Sequence, residues 1–195
     1  HENIHRMKHD RMIIVSAPSG AGKSTIVRHL LEAGLGLEFS VSATSRPLRP
    51  GELDGREYYL ITSDEFRKRI DAGELLEWQE VYPGSYYGTL RSEVTRIHAN
   101  GHSPVFDVDV VGGINIKKMY GDQALALFIR PPSFEVLEAR LRNRGTDSEA
   151  SLQKRLDKVR WELEFADKFD CIILNDKLED ALAESERVVR EFLRG

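Results

Sequence analysis

Cysteine is nearly absent from the sequence, and a single copy excludes a disulfide within the chain. Cys171 lies in the apolar run CIIL, so we expect a small core residue in a protein of a reducing compartment. No apolar run approaches the roughly 18 residues that cross a bilayer, and the polar start HENIHRMKHD lacks the apolar stretch of a signal peptide. These absences argue against a disulfide scaffold and a membrane protein, and they favour a cytoplasmic location.

Positive charge is not in excess either. Lys and Arg number 28 against 32 Asp and Glu, a formal net charge of −4, so we expect no nucleic-acid partner and no membrane partner. His29, His98 and His102 show no metal-ligand spacing, and we interpret Trp78 and Trp161 as packing residues rather than base-stacking ones. Any site for an anion must therefore be built locally.

What the sequence does contain is an alternation of strand-like and helix-like segments. The apolar runs are RMIIVSA (11–17), PVFDVDV (104–110), ALALFI (124–129) and CIIL (171–174), with helical spacing between and after them. This order predicts an α/β fold with a mainly parallel sheet covered by helices on both faces. Residues 42–91 and 140–166 interrupt the pattern, and we expect excursions from the core that carry mobile binding elements.

A glycine-rich stretch, APSGAGKST, follows the first predicted strand and precedes a helix. Strand, loop and helix in this order are typical of a phosphate loop, whose main-chain N–H groups bind phosphate oxygens at a helix N-terminus. Lys23 is expected to reach the β- and γ-phosphates and the Ser24 hydroxyl to bind Mg²⁺, although Ala17 replaces the first glycine of the usual pattern. The predicted nucleotide-binding residues here are Ser19, Gly20, Ala21, Gly22, Lys23, Ser24 and Thr25. The alternative is an ordinary glycine-rich turn.

The acceptor of the phosphoryl group has to be found elsewhere. The Asn-Lys-x-Asp guanine reader of a GTPase is absent, since NDK (175–177) has the wrong order. Arg46 and Arg49 lie among hydroxyl groups in SATSRPLRPG, and YYGT (86–89) follows them. Guanidinium forks with tyrosine hydroxyls suit a monophosphate, whereas two isolated arginines would be an ordinary solvated surface. The pattern favours a kinase with a small phosphorylated acceptor.

Five segments in chain order resemble guanylate kinases: FSVSATSRPLRPGELDGREY, EWQEVYPGSYYGT, VFDVDVVGG, RLRNRGTDSEASLQKRL and ILND. The resemblance extends from Arg11 to the C-terminus. It implies a P-loop kinase core of residues 11–41, 92–139 and 167–195, with an inserted GMP-binding domain (42–91) and a helical lid (140–166). It also implies transfer of the γ-phosphoryl group of ATP to GMP, with Mg²⁺.

The same resemblance implies roles for individual residues. Those that would hold the GMP phosphate are Arg46, Arg49, Tyr58 and Tyr87, and those that would read guanine are Ser42, Glu77 and Thr89, with Asp109 near the nucleotide. Arg140, Arg144 and Arg155 match catalytic arginines that close over the transferring group, and Asn175 falls where the adenine of ATP is approached. Asp107 resembles an aspartate that holds Mg²⁺ through water; the alternative is a strand-end aspartate that caps backbone groups. The loop VYPGSYYG is one residue longer than the family pattern.

Two other functions stay open at this point. A kinase for a different nucleoside monophosphate would share the loop and the lid but change the residues that read the base. A non-catalytic module resembling guanylate kinase would bind phosphopeptides, and such modules typically lack a working phosphate loop. The retained Gly22, Lys23 and Ser24 favour the enzyme. The oligomeric state cannot be predicted from the sequence.

Overall fold

The computed structural model describes residues 10–143, 145 and 148–195. Their strands and helices are, in chain order, β1 (Met12–Ser16), α1 (Lys23–Glu32), β2 (Leu37–Phe39), β3 (Ser42–Thr44), β4 (Tyr58–Leu60), α2 (Ser63–Asp71), β5 (Leu75–Tyr82), β6 (Ser85–Leu90), α3 (Arg91–Ala99), β7 (Ser103–Asp107), α4 (Val110–Tyr120), β8 (Ala124–Arg130), α5 (Phe134–Asn143), α6 (Glu149–Leu163), β9 (Cys171–Leu174) and α7 (Leu178–Arg194). Among these helices, none is both long and apolar enough to cross a bilayer.

The larger sheet has five strands in the order β2-β7-β1-β8-β9, and every neighbouring pair is parallel. Strand β1 is central, with Val15 paired to Asp107 of β7 and Ser16 paired to Phe128 of β8. Because the carboxyl ends of parallel strands meet at one edge, the loop that leaves β1 lies beside Asp107. The topology thus brings the phosphate loop and this aspartate together.

Alternate residues of these strands pack into two cores, one on each face of the sheet. Ile13 and Val15 of β1 belong to the core that α1 and α7 cover. Met12 and Ile14 belong to the opposite core, together with residues of α3 and α4. A strand buried on both faces needs apolar residues at every position, which is why the sequence MIIV reads as a continuous run.

The stretch predicted to leave the core forms a second sheet, with four strands in the order β4-β3-β6-β5. It is mixed: β3 and β4 are parallel, whereas β6 is antiparallel to β3 and β5. Its own small core joins Ala43, Leu75, Tyr86 and Leu90 to Phe66 of α2. The pairing of β5 with β6 shifts register between Leu75 and Glu77 and again between Glu80 and Tyr82.

Helices α5 and α6 pack on each other through a fourth cluster, formed by Leu137, Leu141, Leu152, Leu156 and Val159. The Ser133 hydroxyl accepts a hydrogen bond from the Val136 amide at 3.2 Å, as a capping side chain does at the start of a helix. These two helices overlap most of the predicted lid. The division of the chain into core, GMP-binding domain and lid remains a prediction.

The predicted α/β class is confirmed, and several finer expectations need correction. The strand predicted over 104–110 ends at Asp107, because Asp109 caps α4 by accepting from the Gly112 amide at 2.8 Å. Cys171 packs against the core but is only half-buried. Trp78 and Trp161 each contact one aromatic ring, yet they are 44% and 45% exposed, so their interpretation as packing residues is half right.

Candidate active site

The loop between β1 and α1 depends on two glycines with positive φ, Gly20 at 82° and Gly22 at 88°. Gly22 is the N-cap of α1 and offers no side chain to its amides, and the first turn of this helix carries no acidic residue. The first-turn N–H groups and the positive end of the helix dipole are therefore directed at a ligand rather than at the protein's own carboxylates. Ser19, Ser24 and Thr25 are exposed beside them.

Asn175, which directly follows β9, holds this loop by a side-chain hydrogen bond. Its side chain is buried, and the amide Nδ2 donates to the Ala21 carbonyl at 2.8 Å. A Cβ added to Gly22 would lie 2.4 Å from that same Nδ2 atom. The structure thus assigns Asn175 a contact with the phosphate loop, whereas the family resemblance implies a place near adenine.

Lys23, in the first turn of α1, forms an ion pair across the sheet edge. Its Nζ lies 2.6 Å from Oδ1 of Asp107, and both side chains are about a quarter exposed. Sequence reasoning placed both residues near the phosphates but left Asp107 between a metal site and a backbone cap. The ion pair anchors the lysine at the mouth of the loop.

The donor set at this edge fits Mg²⁺. An exposed hydroxyl, Ser24, follows Lys23, and the Asp107 carboxylate is accessible. Across the described ranges, no group of three or more His, Cys, Asp or Glu side chains could hold a metal by itself. A hydroxyl and a carboxylate oxygen suit Mg²⁺, which keeps water ligands and is shared between one or two protein oxygens and substrate phosphates.

One predicted lid arginine reaches the loop. The Nη1 of Arg140, on α5, donates to the Gly20 carbonyl at 2.8 Å. Arg155 is exposed on α6. Arg144, the third predicted lid arginine, lies outside the described residues.

A cleft of about 660 Å³ runs from the phosphate loop to the second sheet. Most of the predicted acceptor and metal residues line it, namely Lys23, Ser42, Arg49, Tyr58, Glu77, Tyr87, Asp107 and Asp109. These residues come from α1, from strands β3 to β7, and from the loops that follow β3 and β7. The fold therefore brings the donor loop and the predicted acceptor residues into one cavity.

Arg46 lies behind the cleft wall in a network that the sequence did not predict. Its guanidinium donates to both carboxylate oxygens of Glu52, at 2.7 and 2.9 Å, and lies over the rings of Tyr58 and Tyr87, at 4.8 and 5.8 Å. Glu52 also accepts from the Arg49 amide at 2.7 Å. These hydrogen bonds, above all the one from Arg46, lower the pKa of Glu52 to about 2. Glu52 thus holds the Arg46 guanidinium and the Arg49 backbone amide while staying ionised.

At the far end of the cleft, β5 and β6 place Glu77 directly opposite Thr89. Thr89 is buried, and its hydroxyl donates to Oε1 of Glu77 at 2.9 Å. Burial of Glu77 raises its pKa to about 7, the Thr89 hydrogen bond opposes that shift, and the Asp109 charge adds to it. Asp109 in turn accepts from Nε2 of Gln79 at 2.8 and 3.0 Å. This end of the cleft therefore offers a carboxylate acceptor to a ligand with hydrogen-bond donors.

Four residues near the cleft were not singled out in the sequence: Glu52, Gln79, Lys158 and Glu162. The cleft lining includes all but Glu162, which is buried on α6. Glu52 lies close to Arg46 in the segment FSVSATSRPLRPGELDGREY, so the sequence itself could have indicated their two-oxygen pairing. Gln79, Lys158 and Glu162 come close to the site only through tertiary packing.

Fold and site together define a P-loop kinase: the phosphate loop follows the central strand of a parallel sheet, and Lys23 opens into a cleft that the second sheet also lines. The comparisons with known proteins narrow this class. The sequence model of the guanylate kinase family matches residues 9–192, so the chain belongs to the guanylate kinase family.

Individual relatives agree with this assignment. A guanylate kinase of Bacteroides fragilis is 52% identical over 189 residues, which make up 97% of this chain and 93% of that protein. One of Salinibacter ruber is 51% identical over 186 residues, covering 94% of this chain and 98% of the relative. The crystal structure of the guanylate kinase from Anaplasma phagocytophilum superposes with a TM-score of 0.76 at 27% identity, covering 96% of this chain and 88% of that one. The predicted resemblance is thereby confirmed.

Proposed function

We propose that the protein transfers the γ-phosphoryl group of ATP to GMP, giving ADP and GDP. The observation that carries this proposal is the single cleft with Lys23 of the phosphate loop at one end and the Glu77–Thr89 pair at the other. Family membership and relatives named guanylate kinase support it. We also propose that residues 42–91 act as the GMP-binding domain and residues 140–166 as the lid.

The choice of guanine follows from the chemistry of Glu77. Guanine presents two adjacent donors, N1–H and the 2-amino group, and an ionised carboxylate accepts from both. Adenine has an acceptor at N1 and no group at position 2, so it would leave the half-buried carboxylate facing a lone pair. A site built around such hydrogen bonds rejects the analogue by roughly 10⁴-fold, because the penalty is an unpaired polar group. In this scheme Ser42 and Asp109 line the nucleotide on either side.

The acceptor phosphate would lie between the base end and the phosphate loop. Arg49 lines the cleft there with Tyr58 and Tyr87, and Arg46 supports both tyrosine rings from behind. Guanidinium and phenol donors are matched to a phosphate dianion. Their position would direct a phosphate oxygen of GMP towards Lys23.

Transfer itself needs alignment and positive charge more than covalent chemistry. Lys23 and the lid arginines, Arg140, Arg144 and Arg155, would stabilise the charge spread over the transferring group. No general base is required, since the attacking phosphate oxygen is already an anion. Mg²⁺, held by the Ser24 hydroxyl and by Asp107 through water, would neutralise charge on the ATP phosphates. Closure of the cleft would exclude water and so suppress hydrolysis of ATP.

A kinase for another nucleoside monophosphate and a phosphopeptide-binding module are the competing proposals. The ion-paired Lys23 in an intact phosphate loop favours catalysis over simple binding. Small-molecule partners, GMP and ATP, are sufficient for this activity. The cytoplasmic location and the lack of nucleic-acid or membrane partners stay predictions.

A coupled assay that follows ADP formation tests the proposal. With ATP and Mg²⁺, the protein should phosphorylate GMP and leave AMP, CMP and UMP nearly untouched. The folded variant Lys23→Ala should lose about a hundredfold or more in turnover, because its charge stabilises the transferring group. Equal rates with all four acceptors, or no acceptor-dependent ADP at all, would overturn the assignment.

A further inference from the structure

The lid side of the cleft carries a cation that plays no part in the proposed mechanism so far. Lys158, on α6, lines the cavity together with Lys23, Asp107 and Asp109. Lys158 and Arg155 both lie on α6, so any movement of this helix carries the two residues together. Lys158 therefore faces the phosphate loop from the opposite wall.

Most other cations of this cleft already have a carboxylate partner. Lys23 pairs with Asp107 at 2.6 Å, and Arg56 pairs with Glu57. Within the part of the chain that the structure describes, no carboxylate lies within ion-pair distance of Lys158, which is exposed to solvent. Its ammonium group is thus available to a ligand.

The position of Lys158 on α6 is set by the helix period. Leu152, Leu156 and Val159 form the buried stripe against α5. Arg155, Lys158 and Glu162 follow at spacings of three and four residues, so they form one polar flank beside that stripe. Glu162 is 4% exposed, and its Oε1 has no hydrogen-bond partner in the described structure. The helix period therefore places Lys158 beside the buried stripe and in the wall of the cleft.

We infer that Lys158 is a further phosphate-binding residue, which contacts the phosphoryl group in transit between the two nucleotides. This inference rests on the proposed phosphoryl transfer. The transferring group spreads negative charge over three equatorial oxygens, and a lysine on the far wall supplies charge where the paired Lys23 does not reach. The ammonium is a flexible point donor, which suits a group that changes position during the reaction.

The test compares Lys158→Gln and Lys158→Arg with the control Lys154→Gln, an exposed lysine one turn away that is outside the cleft lining. Steady-state kinetics with ATP and GMP should show kcat reduced by about tenfold to a hundredfold in Lys158→Gln, with both KM values within about twofold of wild type. Lys158→Arg should recover most of the loss. Lys154→Gln should match wild type.

A kcat of Lys158→Gln within about twofold of wild type, or an equal loss in Lys154→Gln, would overturn the inference. Calorimetry with a pentaphosphate-bridged adenosine–guanosine compound separates it from the proposed function. If the wild-type protein phosphorylates no nucleotide, the proposed function fails, and the affinity for this compound then decides about Lys158. An affinity for this compound that falls about tenfold in Lys158→Gln but not in Lys154→Gln supports the phosphate contact, and an unchanged affinity in Lys158→Gln contradicts it.

Discussion

At the scale of single residues, two glutamates set the electrostatics of the site, the half-buried Glu77 and the buried Glu162. Glu77 is the proposed reader of guanine, and burial raises its pKa to about 7. Glu162 on α6 has its pKa raised to about 7 by burial as well, with Lys158 and Lys23 opposing the shift and Asp109 adding to it. Both carboxyls therefore change charge within the range in which the protein would work.

The titration of Glu77 predicts a pH dependence of GMP use. Only the ionised carboxylate accepts from both guanine donors, so kcat/KM for GMP should fall about fivefold as pH drops from 7 to 6. The GMP phosphate titrates near pH 6 as well, and Glu77→Gln retains that titration and the titration of Glu162. The difference between the pH profiles of kcat/KM for wild type and for Glu77→Gln therefore isolates the titration of Glu77. Parallel profiles for the two proteins would contradict the prediction.

Glu162 predicts a stability effect of definite sign. Its folded-state pKa lies above the ordinary value of 4.5, so its contribution to stability is complete below about pH 4.5 and is lost as pH rises through 7. The gain in unfolding free energy from Glu162→Gln should therefore be about 1 kcal/mol larger at pH 8 than at pH 6, as measured by urea unfolding. The exposed Glu164, replaced in the same way, is the control. A gain independent of pH would show that Glu162 is ionised throughout.

The phosphate loop around Lys23 was predictable because it is a dense local motif. The contact of Asn175 with this loop and the place of Lys158 in the cleft lining were not, because each depends on packing between segments far apart in the chain. Asn175 meets Ala21 across 154 positions, and nothing in ILND indicates that the amide would be turned under the phosphate loop.

At the scale of elements, the phosphate loop and the start of α1 work as one unit with Asn175. Gly22 combines a positive φ of 88° with a Cβ position 2.4 Å from the Asn175 amide. Gly34, at φ 71°, has open space around the same position. Alanine substitutions at these two glycines therefore separate the free-energy cost of the left-handed backbone from the cost of the clash with Asn175.

Gly22→Ala should be much more harmful than Gly34→Ala. The control carries only the conformational cost, about 1–2 kcal/mol of unfolding free energy. Gly22→Ala carries this cost and also displaces Asn175 from the Ala21 carbonyl, so ATP affinity should fall together with stability. Denaturant unfolding and the KM for ATP check both parts. Equal losses in the two variants, with ATP binding intact, would show that the contact with Asn175 is unimportant.

Elements differed in how well the sequence predicted them, for physical reasons. Strand β9 is predicted at Cys171–Leu174 and observed there, because its apolar run is bounded by polar residues. Strand β2, Leu37–Phe39, was missed, since three half-buried residues at a sheet edge carry no periodic signal. The second sheet lacks long apolar runs because it has one small core, so its strands depend on pairing between segments.

At the scale of the whole molecule, two sheets and helix α6 line one cleft. The mixed sheet supplies the predicted acceptor residues, the parallel sheet supplies the phosphate loop, and α6 contributes the opposite wall. The class of fold followed from the order of strands and helices in the sequence. The juxtaposition around the cleft did not, because it depends on how three separately packed clusters meet.

Binding of both nucleotides should compact the protein. Ligands that join the two ends of the cleft gain contacts from all three walls only when these walls approach each other. Small-angle scattering should therefore give a lower radius of gyration with the pentaphosphate-bridged adenosine–guanosine compound than without it. ATP alone is the control and should have a smaller effect. An unchanged radius at saturation would argue against closure.

The central claim is that the cleft accepts GMP because Glu77 reads its base. The most direct test is the ratio of kcat/KM for GMP to kcat/KM for AMP, in wild type and in Glu77→Ala, at saturating ATP. We expect Glu77→Ala to lower kcat/KM for GMP by at least about a hundredfold and to narrow the gap to AMP, with the KM for ATP nearly unchanged. A variant that still prefers GMP over AMP as strongly as wild type would contradict the account.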